Sequence, residues 1–384
     1  MQGSGHCGKR YRLRDPFWPS NCSSCQMPAI DTPTCTMREQ LQPVAVAMCT
    51  YQGARFVETQ LRSLQTQSWP TRIHVSDDAS QDDTAARVSA LIRPGTDELA
   101  IQPENIGYVQ NFQTSIRAAL DSGAQHIALS DQDDICQNNR IESGMRHMQT
   151  LQDQYGSNTP LLVHSDLRLV DAQGQQRHAS FFSFRRYRIT TRKNLLLILG
   201  ENGVMGNTIL MNRALARLCL PFPEHLHVHD YWIAVLAELF GQRALHDTPT
   251  VDYRLHGHNA SNTADSMPIA RRLPQWDVTW RKLLERDFKL PFKEDSRLSV
   301  LQHLLDNESG YPTLTSEQRK TLIAFVDYLR FEQSRWRSLH YLLCSGIARS
   351  GVRYRLRLCL ATLFTRRYGA HYGHANLNES TSQT

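Results

Sequence analysis

The feature that most constrains this chain is an alternation. Between residues 44 and 130, four short apolar runs (Val44–Cys49, Arg72–Ser76, Leu99–Gln102 and His126–Ser130) are separated by three stretches of helical periodicity. The first stretch, 55–68, carries Val57, Leu61 and Leu64 and stops before Trp69-Pro70. The second, Thr84–Ile92, puts Val88, Leu91 and Ile92 on one face, and the third carries Val109, Phe112, Ile116 and Leu120. Short strands that each return through a helix predict an α/β fold with a parallel sheet covered on both faces. Such open sheets bind ligands beyond the carboxyl ends of their strands. Polar residues stand at those ends: Thr50-Tyr51, Asp77-Asp78, Pro103-Glu104-Asn105 and Asp131-Gln132-Asp133-Asp134.

The second half is less regular. Leu161–Val170 reads as a strand followed by a turn at Asp171–Gly174, and Asn207–Met211 as a strand entering a helix at Asn212. Asp230–Phe240 reads as helical and Pro249–Leu255 as extended. After about Ser266 the strand signals stop, and helices carrying Trp276, Trp280, Trp336 and many arginines are expected. Val352, Leu356, Leu360 and Leu363 share one helical face, with Arg353, Arg355 and Arg357 off it. That pattern suits the surface of an anionic membrane, and equally a helix packed on protein with a solvated basic face.

No run approaches the ~18–20 apolar residues that span a bilayer, and no apolar block near the start resembles a signal peptide. The expectation is a cytoplasmic chain, at most peripheral on the inner face of the membrane. A net charge of +6 over 384 residues is too modest to indicate a nucleic-acid partner. Cys7, Cys22, Cys25 and Cys35 crowd the amino terminus, and Cys22-Ser-Ser-Cys25 has the spacing of half a zinc site. A second regular ligand pair is missing, so an unfolded leader preceding Met37 is the simpler reading. The expected division is a leader over 1–42, a catalytic domain over 43–265 and a basic helical region over 266–384.

Asp131-Gln132-Asp133-Asp134 is the most informative segment. Three carboxylates so close repel one another unless a counter-charge joins them. A hard divalent cation, Mg2+ or Mn2+, bound together with a diphosphate is a natural one. A helix amino terminus is the ordinary structural alternative. Asp77-Asp78 is placed to hydrogen-bond a base or ribose. No G-x-G-x-x-G follows the first strand, no P-loop is present and no G-x-S-x-G elbow occurs, which argues against dinucleotide enzymes, P-loop nucleotidases and serine hydrolases. Asp230, in His229-Asp230-Tyr231-Trp232, can serve as a general base or simply open a helix. His256, in His256-Gly257-His258-Asn259, can reach a metal or phosphates from a loop.

Taken in order, these segments resemble the family-2 glycosyltransferases, and among them the bacterial rhamnosyltransferase-like enzymes of surface polysaccharide assembly. The likeness runs from about Pro43 to Asn262 through VAVAMCTYQGARFVETQLRSLQTQSWP, VSDDASQDDT, ENIGYVQNF, ALSDQDDIC, LVHSDLRLVDAQG, MGNTILMNR, HDYWIA and YRLHGHN. The resemblance implies a GT-A-type, mostly parallel sheet flanked by helices, with a C-terminal helical appendage. It implies that Thr50, Tyr51 and Asp78 hold the nucleobase and ribose, and that Asn105 and Gly107 line the nucleotide cleft. Asp131 and Asp133 match the family's D-x-D, Asp133 being the direct metal ligand with His256 nearby, and Asp230 matches the base of inverting members. The implied donor is a nucleotide sugar, TDP-rhamnose by overall likeness, and the implied acceptor a glycan or lipid-linked oligosaccharide of O-antigen or capsule synthesis. Cys136, Asn138, Asn207 and His258 depart from the residues expected of relatives. Two other readings are a non-catalytic sugar-nucleotide-binding assembly protein and a sugar nucleotidyltransferase. The retained carboxylates argue against the first, and Gln52-Gly-Ala-Arg55 is a poor triphosphate loop for the second.

Overall fold

The computed structural model describes residues 41–185, 187, 191, 193–224, 226–256, 294–330 and 334–345. The amino-terminal cysteines, His258, Trp276, Trp280 and the Val352–Leu363 face lie outside the described residues. Strand β1 (Val44–Thr50) is buried along its whole length, as a strand covered on both faces must be. Its side chains alternate between two cores. Val44, Val46 and Met48 pack with Val57, Leu61 and Leu64 of helix α1 (Val57–Gln65). Ala45, Ala47 and Cys49 face Phe112 and Ile116 of the helix Tyr108–Asp121. The period of 2 in the strand thus meets the 3.6-residue period of helices on opposite sides.

Strand β2 (Thr71–Asp77) lies parallel to β1, and β3 (Glu98–Ile101) parallel to β2. Helix α2 (Thr84–Leu91) connects them, and α3 (Tyr108–Asp121) leads to β4 (His126–Ser130), parallel to β1 on its other side. This half matches the predicted alternation element for element.

Beyond β4 the sheet continues with strands from the second half. Its order is β3-β2-β1-β4-β8-β6-β9-β5, with β5 spanning Ile135–Cys136, β6 Leu161–Val170, β8 Leu210–Asn212 and β9 Gln242–Arg254. Strand β7 (Gln176–His178) pairs with the end of β6. Strand β8 runs against both β4 and β6, while β9 runs parallel to β6. The strand predicted over Asn207–Met211 begins later, because Gly206–Thr208 form a 3-10 turn that turns Asn207 inward. Strand β9 begins before Pro249, at Gln242, since it pairs along β6 from Leu161 onward.

The helices of this half are α4 (Arg140–Tyr155), the short α5 (Phe181–Arg185), α6 (Leu195–Glu201), α7 (Arg213–Cys219) and α8 (His229–Phe240). Helix α8 is buried on every side from Tyr231 to Leu239, which marks it as the centre of the second core. Helices α9 (Glu294–Asp306) and α10 (Ser316–Arg330) contribute Val300, Leu301, Leu304, Leu322 and Phe325 to the cluster that contains Trp232. Helix α11 (Arg335–Ser345) leaves Trp336 and Leu343 exposed. Among the described residues no helix is long and apolar enough to cross a membrane.

Candidate active site

The carboxyl edges of β1 and β2 build a rigid shelf. The Thr50 hydroxyl donates to Asp77 at 2.6 Å, and Asp77 also accepts from the Ser80 N–H and hydroxyl, both at 2.8 Å. Asp78 accepts the N–H groups of Ile106 and Gly107 at 2.7 and 3.0 Å. Gly107 opens α3 at φ +82°, a left-handed conformation that suits glycine, and the Asn105 side chain also accepts its N–H at 3.1 Å. Thr50 and Asp78 are each 2% exposed, so they shape the shelf from beneath. Tyr51, 45% exposed, and the exposed Asn105 present themselves above it.

The acidic segment after β4 has three separate fates. Asp134 is fully buried and accepts hydrogen bonds from the Asn207 amide and the Arg254 N–H. That pairing accounts for the departure at Asn207. Gln132 reaches the other way, accepting the Tyr51 N–H and donating to the Tyr51 carbonyl, both at 2.8 Å. A methyl group on Gly53 would lie 2.1 Å from the Gln132 side-chain oxygen, so only glycine leaves room for this clamp. Asp133 meets His256, with 2.8 Å between Oδ2 and Nε2. The His256 ring is stacked on Phe56 with centroids 5.0 Å apart, and Arg254 both covers Phe56 and donates to the Asp133 carbonyl at 2.9 Å.

Asp131 is electrostatically uncomfortable. Burial raises its pKa, and the charges of Asp133 and Asp230 raise it further, with Arg140 the opposing influence. This couples two sites far apart in sequence. Asp230 stands in the first turn of α8, where its Oδ1 accepts from the Asn202 amide at 3.0 Å. Burial pushes Asp230 up to about 6, while Asn202, the backbone N–H groups of Tyr231 and Gly206, and the charge of Arg297 pull the other way. Asn202 ends α6 at φ 46° and ψ 77°, the left-handed conformation that asparagine tolerates. Next to Asp230, His229 is buried and stacked on Phe112 at 4.1 Å, and burial holds its pKa down to about 3. Tyr108 closes this corner by donating its hydroxyl to the His227 carbonyl.

The sequence-predicted residues therefore gather at one end of the sheet. Asp131, Asp133, His256 and Asp230 meet around the carboxyl edge of β4, and Tyr51, Asn105 and Gly107 stand along β1–β3. Gln132, Phe56, Asn202, Arg254 and Arg297 were not singled out in the sequence. Only the Gln132–Gly53 pairing leaves a trace there, as a glycine just beyond a strand end.

Among the described residues no three His, Cys, Asp or Glu side chains surround one cation position. The Asp133–His256 pair still suits a divalent cation held partly by a ligand. It offers a hard carboxylate oxygen and an imidazole nitrogen, beside a second carboxyl whose charge the protein leaves poorly compensated. Magnesium-type ions commonly take one or two carboxylates and complete their shell with substrate phosphates.

Residues 45–215 match the family model described as glycosyl transferase family 2. The matched segment is that of the family-2 glycosyltransferases, and the fold is of the GT-A type. Among solved structures it is similar to S. aureus TarS 1-349 in complex with UDP, at 15% identity and TM-score 0.49, over 79% of this chain and 75% of that one. It is also similar to the mannosyltransferase PcManGT from Pyrobaculum calidifontis in complex with GDP-Man and Mn2+, at 14% identity and TM-score 0.47, over 84% and 82% of the two chains. No curated protein matches the chain.

Proposed function

We propose that this glycosyltransferase inverts the anomeric centre in a single displacement, with Asp230 as the base. The acceptor hydroxyl oxygen attacks the anomeric carbon, the bond from that carbon to the diphosphate oxygen breaks, and the proton passes to Asp230. The observation that carries this reading is that the Asp131 carboxyl lies within electrostatic reach of both Asp133 and Asp230. That nearness supports a cleft in which the diphosphate side and the base side face one another. An ionised Asp230 suits proton removal, and a pKa near 6 keeps it mostly ionised at neutral pH while leaving it basic enough to act.

Asp133 and His256 would hold Mg2+ or Mn2+, which when bound supplies positive charge to the departing diphosphate. Tyr51 offers its ring to the nucleobase. Thr50 and Asp78 set the shelf under the base and ribose, Asn105 and Gly107 bound the cleft, and Asp131 faces the diphosphate. The finer assignments rest on the sequence resemblance: a rhamnosyl donor such as TDP-rhamnose, and a glycan or lipid-linked acceptor in surface polysaccharide synthesis. Peripheral contact with the cytoplasmic membrane face is supported by the exposed Trp336 and Leu343 of α11 and by the absence of Asp and Glu from residues 334–370, which carry eight arginines.

The test uses purified protein with a panel of nucleotide sugars, Mn2+ and an acceptor extract. Asp230→Asn is expected to lower kcat by about 10²–10⁴-fold with donor binding retained. Asp133→Ala is expected to abolish both turnover and the metal-dependent part of nucleotide binding. Near-normal transfer by Asp230→Asn would remove the proposed base.

A further inference from the structure

Asp230 lies beyond the family-matched segment, and the contacts that hold it reach further still, into helix α9. The Arg297 guanidinium donates to the Gly200 carbonyl at 2.7 Å and to that of Leu199 at 3.4 Å. Both carbonyls belong to the last turn of α6, where the helix dipole is negative and a cation is favoured. The same guanidinium lies 5.2 Å from the centroid of the Tyr231 ring, and the Tyr231 hydroxyl donates to Leu199 at 3.3 Å. Two residues after Gly200, Asn202 donates its amide to Asp230.

The opposite end of α6 is fixed as well. Asn194 caps it by accepting the Leu197 N–H at 3.1 Å, and the Asn194 N–H is held by the buried Glu238 at 3.1 Å. A helix of seven residues makes few hydrogen bonds of its own, so its position depends on these anchors. Arg297 anchors the end that carries Asn202.

We infer that Arg297 is a positioning residue for the transfer reaction: through the end of α6 it sets Asn202, and Asn202 orients the Asp230 carboxylate toward the acceptor hydroxyl. The C-terminal helical layer is then part of the catalytic unit. This rests on the reading of Asp230 as the base. The groups that bear on Asp230 are Asp131 from the edge of β4, Tyr108 from α3, His229 and Tyr231 from its own helix, Asn202 from α6 and Arg297 from α9. Arg297 is the cation among them. Its removal, or loss of the Asn202 amide, leaves the carboxylate with less to stabilise its charge, so the acid limb of the rate profile moves to higher pH.

The experiment measures kcat, donor KM and the pH dependence of kcat on the full chain for Arg297→Gln, Arg297→Lys and Asn202→Gly. Glycine keeps the left-handed backbone at 202 while deleting the amide, so this variant stays informative if Arg297→Gln fails to fold. Arg297→Gln and Asn202→Gly are each expected to lower kcat by about tenfold to a hundredfold, as misplacement of a reacting group does. Donor KM stays within about twofold, because only a transition-state interaction is lost. The acid limb moves up, and Arg297→Lys recovers part of the loss. Wild-type kcat and an unmoved acid limb in folded Arg297→Gln or Asn202→Gly overturn the inference, and an inactive Asp230→Asn measured alongside shows that the base itself survives. An active Asp230→Asn removes the base and the inference together.

Discussion

Asp77-Asp78 closes β2 and Asp131–Asp134 follows β4, so two acidic segments occupy similar places at the carboxyl edges of parallel strands. Their treatment differs. In the first, both carboxylates are buried and saturated: Asp77 by Thr50 and Ser80, Asp78 by the N–H groups of Ile106 and Gly107. In the second, Asp134 is tied to Asn207 and Arg254, Asp133 to His256, and Asp131 is left among like charges with Arg140 in its favour. A carboxylate surrounded by donors stabilises a fold. A carboxylate held near other carboxylates costs stability, and a proton or a ligand of opposite charge recovers it. The first segment is therefore built as scaffold, and the second leaves the Asp131 charge poorly compensated, as the proposed cation site requires.

Variants and pH can break or sharpen that contrast. The largest effect is expected from Asp78→Ala, which orphans the Ile106 N–H at roughly 1–3 kcal/mol and leaves the Gly107 N–H to the Asn105 side chain alone. Thermal unfolding would show a clear fall in Tm, and donor KM would rise as the 105–107 turn loosens. An unchanged Tm would mean that the first segment is not scaffold.

The next effect concerns pH. Asp230 has a pKa of about 6, raised by burial, so its working form is lost as pH falls through that value. Below it, kcat should drop by about tenfold per pH unit. A rate profile flat down to pH 5 would place the base elsewhere.

Asp131→Asn is expected to act with the opposite sign to Asp78→Ala. A carboxyl whose pKa is raised by folding gives stability that is present below its ordinary value and lost as pH rises through the folded one. Replacing it by a neutral amide removes that loss. Tm at neutral pH should rise by a few degrees, the two proteins should converge near about pH 4, and diphosphate binding should weaken. A lower Tm in this variant would contradict the picture of uncompensated charge.

The smallest effect is expected from Gly53→Ala. The added methyl group displaces the Gln132 side chain from Tyr51, loosening the link between the two strand ends. Donor KM should rise severalfold with little change in kcat.

Much of this was legible in the residues themselves. The alternation over β1–β4 predicted each strand and helix correctly, because a buried parallel sheet demands apolar runs at a period set by local geometry. The acidic residues at the strand ends, and Asp230 opening a helix, were visible for the same reason. Helix α4 and the short α6 were not anticipated. Helix α6 is apolar on most sides and lacks an amphipathic signature, since it sits between a core and the α9 layer.

Sequence by itself thus determined the sheet's first half, the family likeness, and which carboxylates stand at its carboxyl edge. Tertiary structure decided what each carboxylate does. Asp78 and Asp131 are the same residue type in the same kind of place, and locally only the nearby Asp133 separates them. The rest of their difference comes from partners brought by the fold: the turn at Ile106 and Gly107 for one, the approach of Asp230 for the other. Arg297 is the furthest case, since an arginine on a late helix acquires a part in the site only when packing sets it against the end of α6. Charge and hydrogen bonding act through space, and the chain specifies those distances only after it has folded.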